Sequence, residues 1–264
     1  MESIDYREIC RQVRAVARQA AQFIAEQRKT FTYDRVEEKG RHDLVSYVDK
    51  EAEKMIVARL KQILPEAGFI TEEGTTAQAS GERLRWIIDP LDGTTNFIHG
   101  LPPYCVSIAL AEGDRVVVGV VCEAFSGECF YAWKGSKAYR NGRVIRVSTI
   151  SDFDHTLTAV GLSHSSKDTI TDLLYSMGIL LQETSGIRRI GSAAIDLCYV
   201  ACGRVDGFIQ KNLSPWDVAA GALIAERAGA RVTDFSSGDD YLFGRQIIAS
   251  NPWVYADYMN RVVR

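Results

Sequence analysis

Six acidic side chains could carry chemistry together: Asp49, Glu72, Glu73, Asp89, Asp92 and Asp217. Trp86-Ile87-Ile88 runs straight into Asp89, which reads as a buried strand ending on a carboxylate. Pro90 has no N–H to continue a ladder and is expected to end the strand there. Asp92 follows as a good helix N-cap, and Gly93 lets the backbone approach a bound group closely. A helix starting near Thr94 would offer free N–H groups and a positive dipole end to an anion. Phe69-Ile70-Thr71 running into Glu72-Glu73 repeats the pattern of an apolar strand ending on acids. Asp217 opens a helix after Pro215, again beside apolar residues. Carboxylates beside buried strands are costly unless they are paired or bind a metal. Oxygen donors without Cys or His favour Mg²⁺, Mn²⁺ or Ca²⁺ over Zn²⁺. A cap or a solvated turn would explain any one of these acids, and for Asp217 alone the cap is preferred. The set carries the argument.

The elements that must position these acids follow from periodicity. Ile9, Val13, Val16, Ala17, Ala20 and Ile24 recur at helical spacing within residues 4–28. The charged stretch Lys29 to His42 reads as a loop or short hairpin. Asp43 to Asp49 then leads into a helix with Val48, Ala52, Met55, Ile56, Leu60 and Ile63 on its apolar face. Beyond the Asp89 turn, strand-like runs lie at Val106–Ala111, Arg115–Val121, Cys129–Trp133 and Arg143–Val147. Tight turns at Gly113-Asp114 and Asn141-Gly142 imply antiparallel pairing. From about Thr149 the texture alternates. Strands are expected at Leu157–Gly161, Ile187–Ile190, Val205–Ile209, Arg231–Asp234 and Gln246–Ser250. Helices are expected at Ser166–Leu181 (Ile170, Leu173, Leu174 and Met177 inward), Ser192–Ala201, Trp216–Ala228 and from Pro252 onward. This divides the chain into 1–144, an α+β half with an antiparallel sheet and most of the acids, and 145–264, an α/β half that contributes Asp217.

Composition narrows the partners. The 264 residues carry a formal charge of −3, which gives no reason to expect nucleic acid. A hydrophobic fraction of 46% is ample for a large core, and no apolar run is long enough to span a bilayer. The acidic start Met1-Glu2-Ser3-Ile4-Asp5 is not that of a signal peptide. Six cysteines scattered among apolar neighbours read as buried thiols of a soluble, cytoplasmic protein. The four histidines lack metal-ligand spacing, Cys198 and Cys202 read as a core face, and Ser163-His164-Ser165 lacks a nucleophile-elbow context.

Trp86 to Phe97 resembles the signature of the inositol monophosphatase family of Mg²⁺-dependent phosphomonoesterases. The likeness extends along the chain. Lys39 followed by Asp43-Leu44-Val45 and Asp49 resembles the family's N-terminal element, and Phe69 to Glu73 its paired-glutamate strand. Gly191-Ser192-Ala193-Ala194 resembles its substrate-side helix start, and Trp216-Asp217 through Gly221 its C-terminal signature. The resemblance implies an α+β fold, a layered αβαβα sandwich of the inositol monophosphatase/fructose-1,6-bisphosphatase type, and commonly a homodimer.

The resemblance also implies roles. Glu72, Asp89 and the Leu91 carbonyl would hold one Mg²⁺, and Asp89, Asp92 and Asp217 a second. Glu72 would hold a third, weaker one near the loop of Lys39, with Mn²⁺ able to substitute. Thr94, paired with Asp49, would orient or deprotonate the attacking water, and Glu72 belongs to the same catalytic group. Gly93, Thr94, Gly191, Ser192, Ala193 and Gln210 would line the substrate. The substrate would be a small phosphate monoester, first of all myo-inositol monophosphate, and lithium would inhibit. Fructose 1,6-bisphosphate, histidinol phosphate and nucleotide 3′-phosphates are the alternatives within the superfamily. A non-catalytic metal-binding regulatory protein is the alternative of a different class. Gln210 departs from the pattern, because the family often has a glutamate there.

Overall fold

The apolar stripe of the first helix decides which face of the large sheet is covered. The computed structural model describes residues 4–33, 36–40, 43–162 and 167–263, and for residues 36–40, 43–45 and 167–170 the backbone alone. Helix α1 (Tyr6–Thr30) is capped by Asp5 and buries Val13, Ala17, Ala20 and Ile24. Strands β1 (Val36–Gly40) and β2 (Asp43–Ser46) pair as a hairpin, so the hairpin alternative is the one formed. Lys39 lies on β1, and its side chain is outside the described residues, as are His42, His164 and the start of the fourth helix at Ser166. Helix α2 (Tyr47–Ile63) follows directly from β2.

Seven strands then form one sheet: β3 (Gly68–Thr71), β4 (Leu84–Asp92), β5 (Cys105–Glu112), β6 (Arg115–Glu123), β7 (Cys129–Trp133), β8 (Tyr139–Arg140) and β9 (Arg143–Val144). Only β3 and β4 are parallel; the rest are antiparallel neighbours in chain order. Helix α3 (Thr94–His99) sits between β4 and β5. The second sheet has the order β11-β10-β12-β14-β13, built from β10 (Leu157–Val160), β11 (Gly186–Arg188), β12 (Gly207–Lys211), β13 (Arg231–Thr233) and β14 (Gln246–Ser250). Helices α4 (Lys167–Glu183), α5 (Ala193–Ala201), α6 (Pro215–Ala228) and α7 (Tyr255–Asp257) complete the chain, with a π-helical turn at Tyr258–Val262.

Three cores separate five layers. Trp86, Ile88, Val106, Ile108 and Leu110 face α1 and α2. Ile87, Cys105, Ala109 and Ala111, their alternates on the same strands, face α5 and α6, which also bury Phe208, Ile247 and Ala249 of the second sheet. The outer face of that sheet, with Val160, Ile209 and Ile248, packs on Leu180 and Tyr258. The architecture is therefore an α+β sandwich with layers αβαβα. Burial on both faces explains why β5 and β6 read as apolar runs without alternation. Small residues let α6 lie close to the large sheet: a Cβ at Gly119 would come 2.7 Å from the Ala220 carbonyl oxygen. That approach fixes where the N-terminus of α6, and hence Asp217, can be.

Several expectations change. Pro90 does not end its strand. Strand β4 runs on to Asp92 through a bulge, with Asp89 opposite Ser107 and Asp92 opposite Cys105. A bulge is where a missing N–H costs the ladder nothing. Leu174 is exposed rather than inward, because the face of α4 that packs carries Ser176 and Leu180. Strand β12 runs to Lys211 and includes Gln210, whereas β9 stops at Val144. Cys122 and Cys129 are not both free thiols. The β6–β7 register sets them directly opposite, with Cα atoms 4.2 Å apart, and they are joined as a disulfide. No helix among the described residues is long and apolar enough to cross a membrane.

Candidate active site

The bulge in β4 sends two carboxylates out of one strand end toward different partners. Asp89 is buried and accepts the N–H of Leu91 at 3.0 Å, which closes the turn through Pro90. Its carboxyl is held well above the ordinary range, first by burial, then by the negative charges of Glu72, Asp92 and Asp217 around it. Glu72 contributes twice to that rise, by its charge and by its closeness to the Asp89 carboxyl. Acids crowded out of water raise one another's affinity for a proton or a cation. The structure thus brings together Glu72, Asp89, Asp92 and Asp217, four acids spread over 146 positions of sequence. Among the described residues, no three His, Cys, Asp or Glu side chains stand in finished ligand geometry.

Asp92 does cap a helix, but not the one that follows it. Gly93, with φ +95°, is the N-cap of α3 and makes no side-chain bond. Glycine suits the place, because its positive φ would strain any other residue and a Cβ would crowd the carbonyl oxygens of Gly191 and Pro103 at 3.3 Å. Asp92 Oδ2 instead accepts the Ser192 hydroxyl at 2.6 Å and the Ala194 N–H at 2.7 Å, at the start of α5. Burial raises its carboxyl, and these donors, the Ala193 N–H and the charge of Arg189 work against that rise. The Gly191-Ser192-Ala193 start of α5 therefore serves Asp92 directly. Gly191 (φ +100°) leaves room for the Asn96 amide, which bridges the carbonyls of Pro103 at 2.9 Å and Ile190 at 2.8 Å.

Asp49 and Asp217 stand at matching places on α2 and α6. Each is the third residue of its helix and caps a serine: Ser46 N–H reaches Asp49 Oδ2 at 2.9 Å, and Ser214 N–H reaches Asp217 Oδ2 at 2.7 Å. Asp49 is fully buried, and its Oδ1 accepts the Thr94 hydroxyl at 3.0 Å, the pairing the resemblance implies. The Thr94 hydroxyl has the Leu91 carbonyl as a second acceptor at 3.0 Å. Burial pushes Asp217 up to about 7, with the Asp92 charge adding to the shift and Ser214 and Arg245 opposing it. Gln210 lies over Gly161, where a Cβ would come 1.6 Å from its Oε1.

Glu53 and Asp196 are among the buried acids that escaped the sequence reading. Glu53 accepts the hydroxyl and N–H of Thr75 at 2.7 Å, the Glu73 N–H at 2.8 Å and the Thr71 hydroxyl at 3.0 Å. It thereby fixes the turn that carries Glu72. The signal was present, since Glu53 lies four residues after Asp49 on one helix face. Asp196 is fully buried on α5, and neither carboxylate oxygen has a hydrogen-bond partner among the described residues. Burial and the charge of Asp92 hold it well above the usual range, against Arg189. The signal was present here too, since Asp196 interrupts an apolar run, between Ala193-Ala194-Ile195 and Leu197-Cys198.

The comparisons agree with this geometry. The chain matches the inositol monophosphatase family over residues 5–264. It is 43% identical over 238 residues to Nus factor SuhB of Escherichia coli (strain K12), covering 90% of this chain and 89% of that protein. It is 40% identical over 213 residues to inositol-1-monophosphatase of Mesorhizobium japonicum, covering 81% and 80%. The extragenic suppressor protein suhB of Bartonella henselae superposes with a TM-score of 0.91 at 36% identity, over 97% of this chain and 98% of that one. The IMPase of Thermotoga maritima gives a TM-score of 0.85 at 33% identity, over 94% of each chain. Matched along nearly its whole length in sequence and in layered fold, the chain belongs to the inositol monophosphatase family of phosphatases.

Proposed function

We propose that this protein hydrolyses a small phosphate monoester, myo-inositol monophosphate first, using Mg²⁺. One observation carries the reading: the charges of Glu72, Asp92 and Asp217 converge on the buried Asp89 carboxyl. A divalent cation would offset that converging charge, and the all-oxygen donor set suits Mg²⁺. Glu72, Asp89 and the Leu91 carbonyl would hold one ion, Asp89, Asp92 and Asp217 a second, and Glu72 a weaker third near the loop of Lys39. Such ions, when bound, would lower the pKa of water and offset charge on the phosphoryl and leaving oxygens.

The chain's own groups do the rest. The Thr94 hydroxyl, donating to Asp49, orients the attacking water and passes a proton toward Asp49, whose raised pKa suits it to accept. The N–H groups of Gly93 and Thr94 hold phosphate oxygens at the start of α3. Ser192 and Ala194 keep Asp92 in place. Gln210, on β12, stands on the substrate side and accepts at one atom while donating at the other. Residues 1–144 thus supply most of the acids, and 145–264 supply Asp217 and the substrate side. A homodimer and a cytoplasmic setting complete the proposal.

Phosphate release from inositol, fructose, histidinol and nucleotide phosphates, after chelation and after Mg²⁺ is restored, tests this. Inositol phosphate should be hydrolysed fastest, only with Mg²⁺ or Mn²⁺, and lithium should inhibit. Full activity in chelator overturns the metal reading, and a faster alternative substrate overturns the choice of inositol phosphate. Relatives named Nus factor favour a second reading, a regulatory protein that keeps the metal site. Absence of turnover across the panel, with Mg²⁺ binding retained, would select it.

A further inference from the structure

Away from the acidic site, α1 and the edge of the large sheet enclose a cavity of about 540 Å³. Its walls combine two chemistries. Arg7, Arg11 and Arg14 come from the first three turns of α1, and Tyr131, Trp133 and Tyr139 from β7 and β8. The three rings are nearly parallel: Tyr139 lies 13° from Tyr131 and 6° from Trp133, with centroids 5.3 and 5.6 Å apart. The Arg14 guanidinium sits 3.8 Å from the centre of the Tyr131 ring.

The charges in this cavity are not balanced. Glu8 is occupied by Arg11, at 2.6 and 2.8 Å, and by Gln12 at 2.9 Å. Asp5 accepts the N–H groups of Arg7 and Glu8 as the cap of α1. Among the described residues, Arg7 and Arg14 have no acidic partner, and the buried Arg14 Nε–H has no hydrogen-bond acceptor. A ring face attracts the guanidinium's charge but leaves its in-plane N–H donors to be used. A planar fork of donors fits a phosphate, and an adjacent set of parallel rings fits a flat aromatic base. The volume falls within the range of small-molecule sites.

We propose that this cavity binds a free nucleoside phosphate, with the phosphate on Arg14 and Arg7 and the base against Trp133 and Tyr139. The site is separate from the carboxylate cluster and does not depend on how that cluster is read.

The test is titration calorimetry of the full chain with AMP in chelator, where phosphate hydrolysis does not interfere, with Trp fluorescence read in parallel. Saturable binding is expected, accompanied by quenching that Trp133→Phe reduces. Arg14→Ala and Trp133→Ala should each weaken binding at least tenfold. Arg14→Lys keeps the charge but loses the fork, and should weaken it less than Arg14→Ala. Asp89→Asn should leave it unchanged, and the Arg14 and Trp133 variants should leave phosphate release within twofold. Adenosine and inorganic phosphate should each bind more weakly than AMP. Absence of saturable binding overturns the proposal, as does binding lost in Asp89→Asn but kept in Arg14→Ala and Arg14→Lys. An oligoadenylate that binds much more tightly than AMP would assign the cavity to a nucleic-acid strand and overturn the free-nucleotide reading.

Discussion

The starts of α2 and α6 carry the same local device and end in different chemistry. Ser46-Tyr47-Val48-Asp49 and Ser214-Pro215-Trp216-Asp217 both place an aspartate at the third helical position, folded back on the serine N–H. At α2 the second carboxylate oxygen finds a donor, the Thr94 hydroxyl. At α6 the carboxylate looks instead toward Asp92 and is pushed up to about 7. One cap is completed by a neighbour, and the other is left facing charge of its own sign. A capping motif therefore says which acid will be ordered, not what it will do. The neighbour across the layer decides that.

The sharpest way to break this comparison is to remove charge from one cap and keep its shape. Asp217→Asn retains an acceptor for Ser214 but removes a charge from the cluster. It should lower kcat/KM at saturating Mg²⁺ by about 10³-fold, as losing several kcal/mol of charge stabilisation implies. Asp89→Asn should match or exceed that. If Asp217→Asn stays within tenfold of wild type, Asp217 is a cap and nothing more.

On the α2 side, Thr94→Ala removes the donor that completes the Asp49 cap. It should reduce kcat by about 10²-fold while Mg²⁺ affinity, read by calorimetry, is kept. A parallel loss of Mg²⁺ binding would make Thr94 a structural residue of the cluster.

Stability should separate the two caps in the opposite order. Asp49→Ala strips acceptors from the Ser46 N–H and the Thr94 hydroxyl in a buried place. It should cost about 2 kcal/mol, a fall in Tm of roughly 4–8 °C. Asp217→Ala loses one cap bond but relieves repulsion, so its Tm in chelator should fall less. Equal losses would mean that Asp217 is as well partnered as Asp49.

Acidity acts on both caps, since burial raises Asp49 as well as Asp217. A carboxyl whose folded pKa lies above its unfolded value costs stability as pH rises between the two, because the folded form must then keep a proton or bury a charge. For Asp217 that window runs from about 4 to about 7. Asp89 and Asp92 are shifted in the same direction. The chelated protein should therefore melt at lower temperature at pH 8 than at pH 5. Mg²⁺ should raise Tm more at pH 8, and Asp217→Asn should flatten part of the slope. A Tm that rises toward pH 8 in chelator would contradict the crowding of acids.

The smallest effect is expected at Asp196, where no donor meets the carboxylate. Asp196→Asn should raise Tm at pH 8 by a few degrees in chelator and less at pH 5, since the amide needs no proton. Loss of stability at both pH values would mean that the carboxylate makes a contact the amide cannot.

The acids themselves were legible in the sequence because each breaks an apolar pattern. Asp89 ends three apolar residues, Glu72 follows Phe69-Ile70-Thr71, and Asp217 opens an apolar helix. Periodicity likewise disclosed α1, α2, α6 and the antiparallel run β5 to β7, since side-chain alternation is a local property. What the sequence could not disclose depends on residues far apart in the chain. Asp92 reads locally as the cap of α3, yet its donors come from α5, one hundred residues on. Pro90 reads as a strand end, yet pairing with β5 turns it into a bulge. Glu53 and Asp196 lie inside helices, and only packing decides what their carboxylates meet. Cys122 and Cys129 look like separate thiols until a hairpin register opposes them. Local sequence determines which backbone conformations are cheap and which faces are apolar. Which charges meet, and whether a proton or a cation must sit between them, follows only from how close the layers pack. Here Gly119 against Ala220 and Gly93 against Gly191 set that distance.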